Sequence, residues 1–543
     1  MRRQILLLSW AMAALMTCGY ARGQNSGQMR FCLSAQPKTL DPLKVADDAS
    51  ETVRYLTGGV LVRVDRDTQK LMPELATAWR VNRAGNSISF TLRDKVRFSD
   101  GSPFTASDVA YTVERLMDPD LHSPTGDSFR STTGRVQTKV QDPHHVTVTF
   151  PAPVVGLDRL FDQVAIMPAR SPQNFMAVLG PYYIAENKAG SYLLLKRNPS
   201  YWKKDSSGRQ LPYIESIRLE VQQNRDRELI RLMRGEVDFI NSVNAEGFDL
   251  LKSQASQMAF DAGVSLDSEQ IWFNQAPTAP LPDYKKAWFT SKHFRRAISS
   301  AINREDLARI VFHGHAQPAV SMISPANKFW FNQKLKPHSY DRKLALRELE
   351  LGGFQLRENI LRDAAGHTVE FSVITNAGNK DRERMAAMIQ EDLRAIGIRL
   401  NIVTLDFPSL IERITRTLNY EGCLLGFVND ELDPNAQMTV WLSSADNHQW
   451  NPNQKTPATT WEAEIDRLMR EQASSMDPQK RKRDIDLVQE IVWEQEPFIY
   501  LVNKHALSAI SPNLRNAHPV SLRPQVYWNI EQLALAPDVK RPL

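Results

Sequence analysis

Between Trp79 and Val109 the order of residue types leaves the backbone little choice. Ile88, Phe90 and Leu92 alternate with Ser89, Thr91 and Arg93, the period of a strand with one buried face, and Val96 and Phe98 continue the pattern after a break. Asp100-Gly101 then supplies a turn, because glycine enters left-handed backbone without a steric cost. Thr105 predicts a helix N-cap with Asp108 three residues on, and Phe104 can staple onto Val109 to fix the entry angle. A strand, a turn and a capped helix in so short a stretch point to an α/β protein. They carry no chemistry of their own.

The chain opens with Met1-Arg2-Arg3 and an apolar run from Ile5 to Ala21, with Ala21 and Gly23 at the small positions before a cut ahead of Gln24. We expect a cleaved signal peptide over 1–23 and a periplasmic protein. A lipid anchor on Cys18 is the weaker reading, since Thr17 stands where a small residue normally precedes the modified cysteine. The remaining chain exceeds what one hydrophobic core organises, so two or three lobes are expected. Lys and Arg number 67 against 62 Asp and Glu, and three of the arginines lie in the leader, which leaves a nearly neutral surface. With no basic stripe or interleaved aromatic platform in the sequence, nucleic-acid binding has little electrostatic support. Beyond the leader only Cys32 and Cys423 remain, and their separation in sequence fixes neither a disulfide nor two free thiols.

Further along, Phe294, Ala297, Ile298, Ala301 and Ile302 share one helical face. Asn303 predicts a cap for a second helix that buries Leu307, Ile310 and Val311 and stops at Gly314. Met385, Met388, Ile389, Leu393 and Ile396 recur at helical spacing, Gly397 ends that helix, and Ile398, Leu400 and Ile402 alternate on a strand, the order of an α/β crossover. Residues 461–494 read as mainly helical, and Pro497 to Val502 as an apolar strand.

The block WRVNRAGNSISFTLRDKVRFSDGSPFTASDV resembles the signature of family 5 extracellular solute-binding proteins, the peptide, nickel and oligosaccharide receptors of ABC importers. TLDPL at Thr39, LMPELATAW at Leu71, GPY at Gly180, KRNPSYW at Lys196 and RGEVD at Arg234 follow in the family's order, and FRRAISSAINRED at Phe294 resembles another of its blocks. The resemblance implies an α/β, type II periplasmic-binding-protein-like fold: two lobes joined by a hinge, with an additional subdomain in the N-terminal lobe. On that reading lobe I takes residues 24–60, 181–275 and 501–543, the subdomain 61–180, and lobe II 276–500.

GFVNDELDP, from Gly426 to Pro434, resembles the family segment at the mouth of the ligand cleft. In peptide-binding relatives its first aspartate pairs with the ligand's α-ammonium group, a role that maps to Asp430. A carboxylate in a dry cleft can make a short charge-assisted bond to an amine, which imposes selectivity more than affinity. Phe427 replaces the family's usual tryptophan, keeping an aromatic wall and losing the indole donor. Gly426 and Val428 can offer backbone groups to an extended ligand or simply end a buried strand, and Asn429 completes the candidate segment. Trp441 and Trp450 are candidates either for sandwiching ligand groups or for lobe packing. The resemblance implies capture of a short peptide by a monomer, delivery to permease subunits driven by separate ATPase subunits, no cofactor and no resident metal. Nickel chelates, with His448 near the segment, or oligosaccharides are the alternatives within the family. A secreted hydrolase using Asp430 and Asp433 as acid and base is the alternative of another class, but the chain has no nucleophile elbow, zinc-protease helix or phosphate loop. His144-His145 and His313-Gly314-His315 come with no cysteine or carboxylate cluster at convincing metal-ligand spacing, and read as surface or helix-end residues.

Overall fold

The strand anticipated from its alternation runs from Ser87 to Leu92 in the computed structural model, which describes residues 27–127, 129, 135–171, 176–428 and 432–537. The expected leader, Asn429 and Asp430 lie outside the described residues. Ser87–Leu92 pairs antiparallel with Ala76–Val81 and His145–Thr149, and Gln137–Asp142 completes a four-stranded sheet. Ile88, Phe90 and Leu92 face a core that also takes in Phe98, Phe104 and Val109. Gly101 has φ +85° in the turn, and Thr105 N–H donates to Asp108 Oδ2 at 2.7 Å to start the helix Ala106–Leu116. This sheet and helix form the subdomain.

Lobe I is built on a second four-stranded sheet. Gln28–Leu33 lies parallel to Ser216–Val221, followed by Tyr192–Arg197 and Tyr182–Lys188 in antiparallel order. The helix Asp48–Thr57 and the C-terminal residues Val526 and Tyr527 pack over it in one core.

Two long antiparallel strands, Ala259–Phe273 and Phe498–Ile510, connect lobe I to lobe II. At one end Ala509 pairs with Ala259 beside Phe239–Ile240, whose Phe239 belongs to the lobe I core. At the other end Trp272 and Phe273 point to opposite faces of the lobe II sheet and enter different cores. Between these ends the pairing slips at Asp261/Val264, Val264/Ser268 and Glu269/Gln270. Bulges of this kind bend and twist a strand pair, and here they fall where the chain passes between lobes.

The lobe II sheet continues through Gly422–Phe427, Glu370–Asn376 and Arg399–Leu405, the last two parallel and joined by the helix Lys380–Arg394. Gly397 sits at φ +81°, and a Cβ there would meet Leu361 N at 2.8 Å, so the helix stops where the pattern predicts. One side chain departs from expectation. Ile310 is 48% exposed, because Leu307–Val311 closes a π turn that rotates it off the buried stripe occupied by Leu307 and Val311. Cys32 in lobe I and Cys423 in lobe II are both free thiols. Among the described residues no helix is long and apolar enough to cross a membrane.

Candidate ligand-binding cleft

The subdomain meets lobe II across a narrow gap. Gln69 Nε2 donates to the Ala326 carbonyl at 2.8 Å, and Gly156, at φ +66°, leaves room for Asp433, whose Oδ2 would stand 3.0 Å from a Cβ there. Behind these contacts lies a cavity of about 680 Å³, walled by Val64 and Val154 of the subdomain, Leu432 and Met438 of lobe II, and Leu522 of the C-terminal return. A second cavity of about 400 Å³ opens on the lobe I side beside Phe31, Tyr55 and Tyr527. Arg66, Gln163 and Arg523 stand on the walls of both, so the two spaces adjoin at these side chains. Volumes of this size suit a small ligand with apolar walls and a few fixed polar groups.

The polar groups at that junction are arginines paired with buried or half-buried carboxylates. Arg66 Nη2 donates to Asp162 Oδ2 at 2.9 Å, and Arg63 lies 3.7 Å from the same carboxylate, so two guanidiniums share one anion. Burial opposes the charge on Arg66, but Asp162 and the Tyr55 phenol nearby raise its pKa above the ordinary value. Arg66 Nε is buried with no hydrogen-bond partner among the described residues. An unmatched donor on a buried cation is costly and calls for an anionic or carbonyl acceptor. On the opposite side of the junction Arg523 Nη2 reaches Asp267 Oδ2 of the first crossing strand at 2.9 Å.

The residues singled out from the sequence divide into three groups. Gly426 and Phe427 end the strand Gly422–Phe427, paired with Glu269 and Ser268 of the first crossing strand. Glu269 is buried and holds Arg382 Nε at 2.8 Å and Lys504 Nζ at 3.0 Å. A Cβ on Gly426 would lie 2.6 Å from Arg382 Nη2 and 2.7 Å from Glu269 Oε1, so the glycine accommodates this ion-pair cluster. Phe427 is half-buried edge-on to Phe498, with ring centroids 5.5 Å apart, and Val428 is exposed. Asn429 and Asp430 lie outside the described residues, but the chain after them borders the cleft through Leu432 and Asp433.

Trp441 and Trp450 do not face the cleft. They are 2% and 1% exposed in the lobe II core, edge-on to Phe498, with their indole N–H groups donated to Gln437 Oε1 and Glu462 Oε1. Three large rings that can pack on one another gain more from burial than from a wet cleft wall. His448 is also buried, with Nδ1 at 2.8 Å from the Val440 carbonyl and Nε2 at 3.3 Å from Glu462, so neither nitrogen faces a ligand. Asp433 is gripped at both oxygens by Arg481, at 2.6 and 2.9 Å, which commits it to lobe II architecture and removes it from the acid and base roles of a hydrolase. Arg66, Gln163 and Arg523 escaped the sequence reading because no local pattern links an arginine after a short strand to one near the C-terminus.

Residues 70–449 match the bacterial extracellular solute-binding proteins, family 5 middle region. The glutathione-binding protein GsiB of Salmonella typhi is 26% identical over 494 residues, 88% of this chain and 89% of its own. The oligopeptide-binding protein AppA of Bacillus subtilis is 24% identical over 550 residues, 94% of this chain and 92% of its own. The AppA structure aligns with a TM-score of 0.71 at 22% identity, over 94% of this chain and 99% of that one. NikA of Brucella suis aligns with a TM-score of 0.79 at 18% identity, over 94% and 100%. These likenesses establish the two-lobed fold with its extra subdomain, and with the match to 70–449 they show that the chain belongs to the family 5 bacterial extracellular solute-binding proteins, which capture solutes for ABC importers.

Proposed function

We propose that the chain captures short peptides between its lobes in the periplasm and hands them to a membrane permease. The observation that carries this reading is the junction at Arg66: a partnerless buried N–H on a cation, set between a larger cavity with mostly apolar walls and a smaller, more polar one. A peptide offers a carboxylate for such a point, backbone groups for strand ends, and side chains for the apolar walls. In this reading Arg66 and Arg523 receive the ligand's carboxylate, and Asp430 reads its free amine. Relatives support the ligand class, since GsiB is a glutathione-binding protein and the AppA structure holds a nonapeptide. NikA of Brucella suis was solved with Fe(III)-EDTA, a polycarboxylate chelate that two arginines could also accept.

Calorimetry with a peptide and its N-acetylated form, on wild type and on Asp430→Asn, tests the assignment. Loss of one buried charge-assisted bond costs about 2 to 5 kcal/mol, or about 30-fold to several thousand-fold in affinity, for the free peptide alone. Equal losses for both forms would remove Asp430 from amine recognition.

A further inference from the structure

The hinge holds a second constellation of functional groups, apart from the cleft. Asp261 lies on the first crossing strand at its register break, and His505 on the second crossing strand. His315 immediately precedes Ala316–Pro318, the short strand that pairs with the second crossing strand. One ligand atom from each of these three side chains lies within 4.8 Å of the others. His315 Nδ1 is 3.1 Å and His505 Nδ1 3.0 Å from Asp261 Oδ2. Ligand atoms around a tetrahedral zinc, with bonds of about 2.0 Å, are about 3.3 Å apart, so small adjustments fit these groups around one ion.

The surroundings hold the His315 ring and the Asp261 carboxylate in place. His315 Nε2 faces Asp249 Oδ1 at 3.3 Å, while the other oxygen of Asp249 meets His313 Nδ1 at 2.6 Å. The Phe248 ring packs edge-on against His315 at 4.7 Å, and Gly263 N–H fixes Asp261 Oδ1 at 2.8 Å. With His315 Nε2–H donating its hydrogen bond to Asp249, a neutral ring points its Nδ1 lone pair at the Asp261 carboxylate. Two electron pairs cannot face each other at that distance without a cation between them, either a second proton on the ring or a metal ion. A carboxylate behind the far nitrogen of a ligating histidine is the usual support of a metal site. No carboxylate adjoins His313 or His315 in sequence; the fold brings Asp249 and Asp261 from 64 and 54 positions away.

We propose that Asp261, His315 and His505 bind a late first-row divalent cation such as Zn²⁺, with water completing the shell and Asp249 as a positioning residue. The ion ties both crossing strands to the loop entering from lobe II, and so stiffens the hinge. The donor set of two imidazoles and one carboxylate suits zinc or copper better than magnesium or calcium.

Titration of ZnCl₂ into the full chain, made without a histidine tag and stripped with a chelator, tests the site. We expect one zinc per chain with a dissociation constant below about 10 μM. His315→Gln and His505→Gln should each weaken binding by more than about tenfold, Asp249→Asn by about tenfold, and His145→Ala not at all. Copper(II) bound to the wild type should show two imidazole nitrogens in its paramagnetic resonance spectrum, a readout that does not depend on any variant folding. No zinc uptake by the wild type, full affinity in both histidine variants, or a copper spectrum without imidazole nitrogen would each overturn the proposal.

Discussion

Replacing Gly426 with alanine should destabilise the protein through the Glu269 ion-pair cluster without touching a ligand. The added Cβ would lie 2.6 Å from Arg382 Nη2 and 2.7 Å from Glu269 Oε1, well inside van der Waals contact. Backbone on the paired strand cannot retreat without breaking Gly426's ladder with Glu269, so the charged groups must move. Glu269 is 2% exposed, and burial works against its charge, yet Lys504 and Arg382 hold its pKa below the ordinary value. Overpacking alone costs about 1 to 3 kcal/mol. Partial loss of a charge-assisted bond in a dry site brings the expected total to about 2 to 4 kcal/mol. Urea denaturation should report it as a lower midpoint. In an Arg382→Met background the guanidinium obstruction is gone while the Glu269 carboxylate still crowds the site, so the same alanine should cost about 1 kcal/mol less than in wild type, a coupling readable from the double-mutant cycle. A loss below about 0.5 kcal/mol in the otherwise wild-type protein, or an equal loss in both backgrounds, would refute the steric account.

Arg66→Met should weaken a free peptide by about 2 to 3 kcal/mol, or about 30- to 150-fold, and its C-terminal amide far less, by calorimetry; Arg63 remains to hold Asp162. Trp450→Phe should cost about 1 to 3 kcal/mol of stability by leaving Glu462 short of a donor, with peptide affinity unchanged; a selective loss of affinity would return Trp450 to the cleft. Burial raises the pKa of Glu462, but hydrogen bonds from His448, Gln454, Trp450 and Thr459 outweigh it and pull the carboxyl from 4.5 to about 2. A depressed carboxylate stabilises the fold fully above its unfolded value, so about 3 kcal/mol should be lost as pH falls from 4.5 to about 2, and acid melts of Glu462→Gln should lack that component.

Local grammar was readable where neighbours in sequence are neighbours in space. Ile88, Phe90 and Leu92, the Thr105–Asp108 cap and the Gly397 stop all follow from residues within one turn or one strand of each other. Ile310 was misread because a π turn changes the angular step, and nothing in the apolar spacing encodes that extra residue. The sequence left Trp441 and Trp450 open between cleft wall and lobe packing, because the partner that decides for packing, Phe498, lies well away from them in sequence. The junction of Arg66 with Arg523 and the hinge cluster of Asp249, Asp261, His315 and His505 are products of topology. Each brings together segments far apart in sequence, which a pattern confined to one segment cannot carry.

The ligand itself decides the central claim. Protein purified from its native compartment without added ligand, then denatured, should release small molecules that mass spectrometry identifies. Short peptides with free termini, at close to one per chain, are the expected result. Oligosaccharides or a metal chelate in their place, with no peptide, would contradict the account.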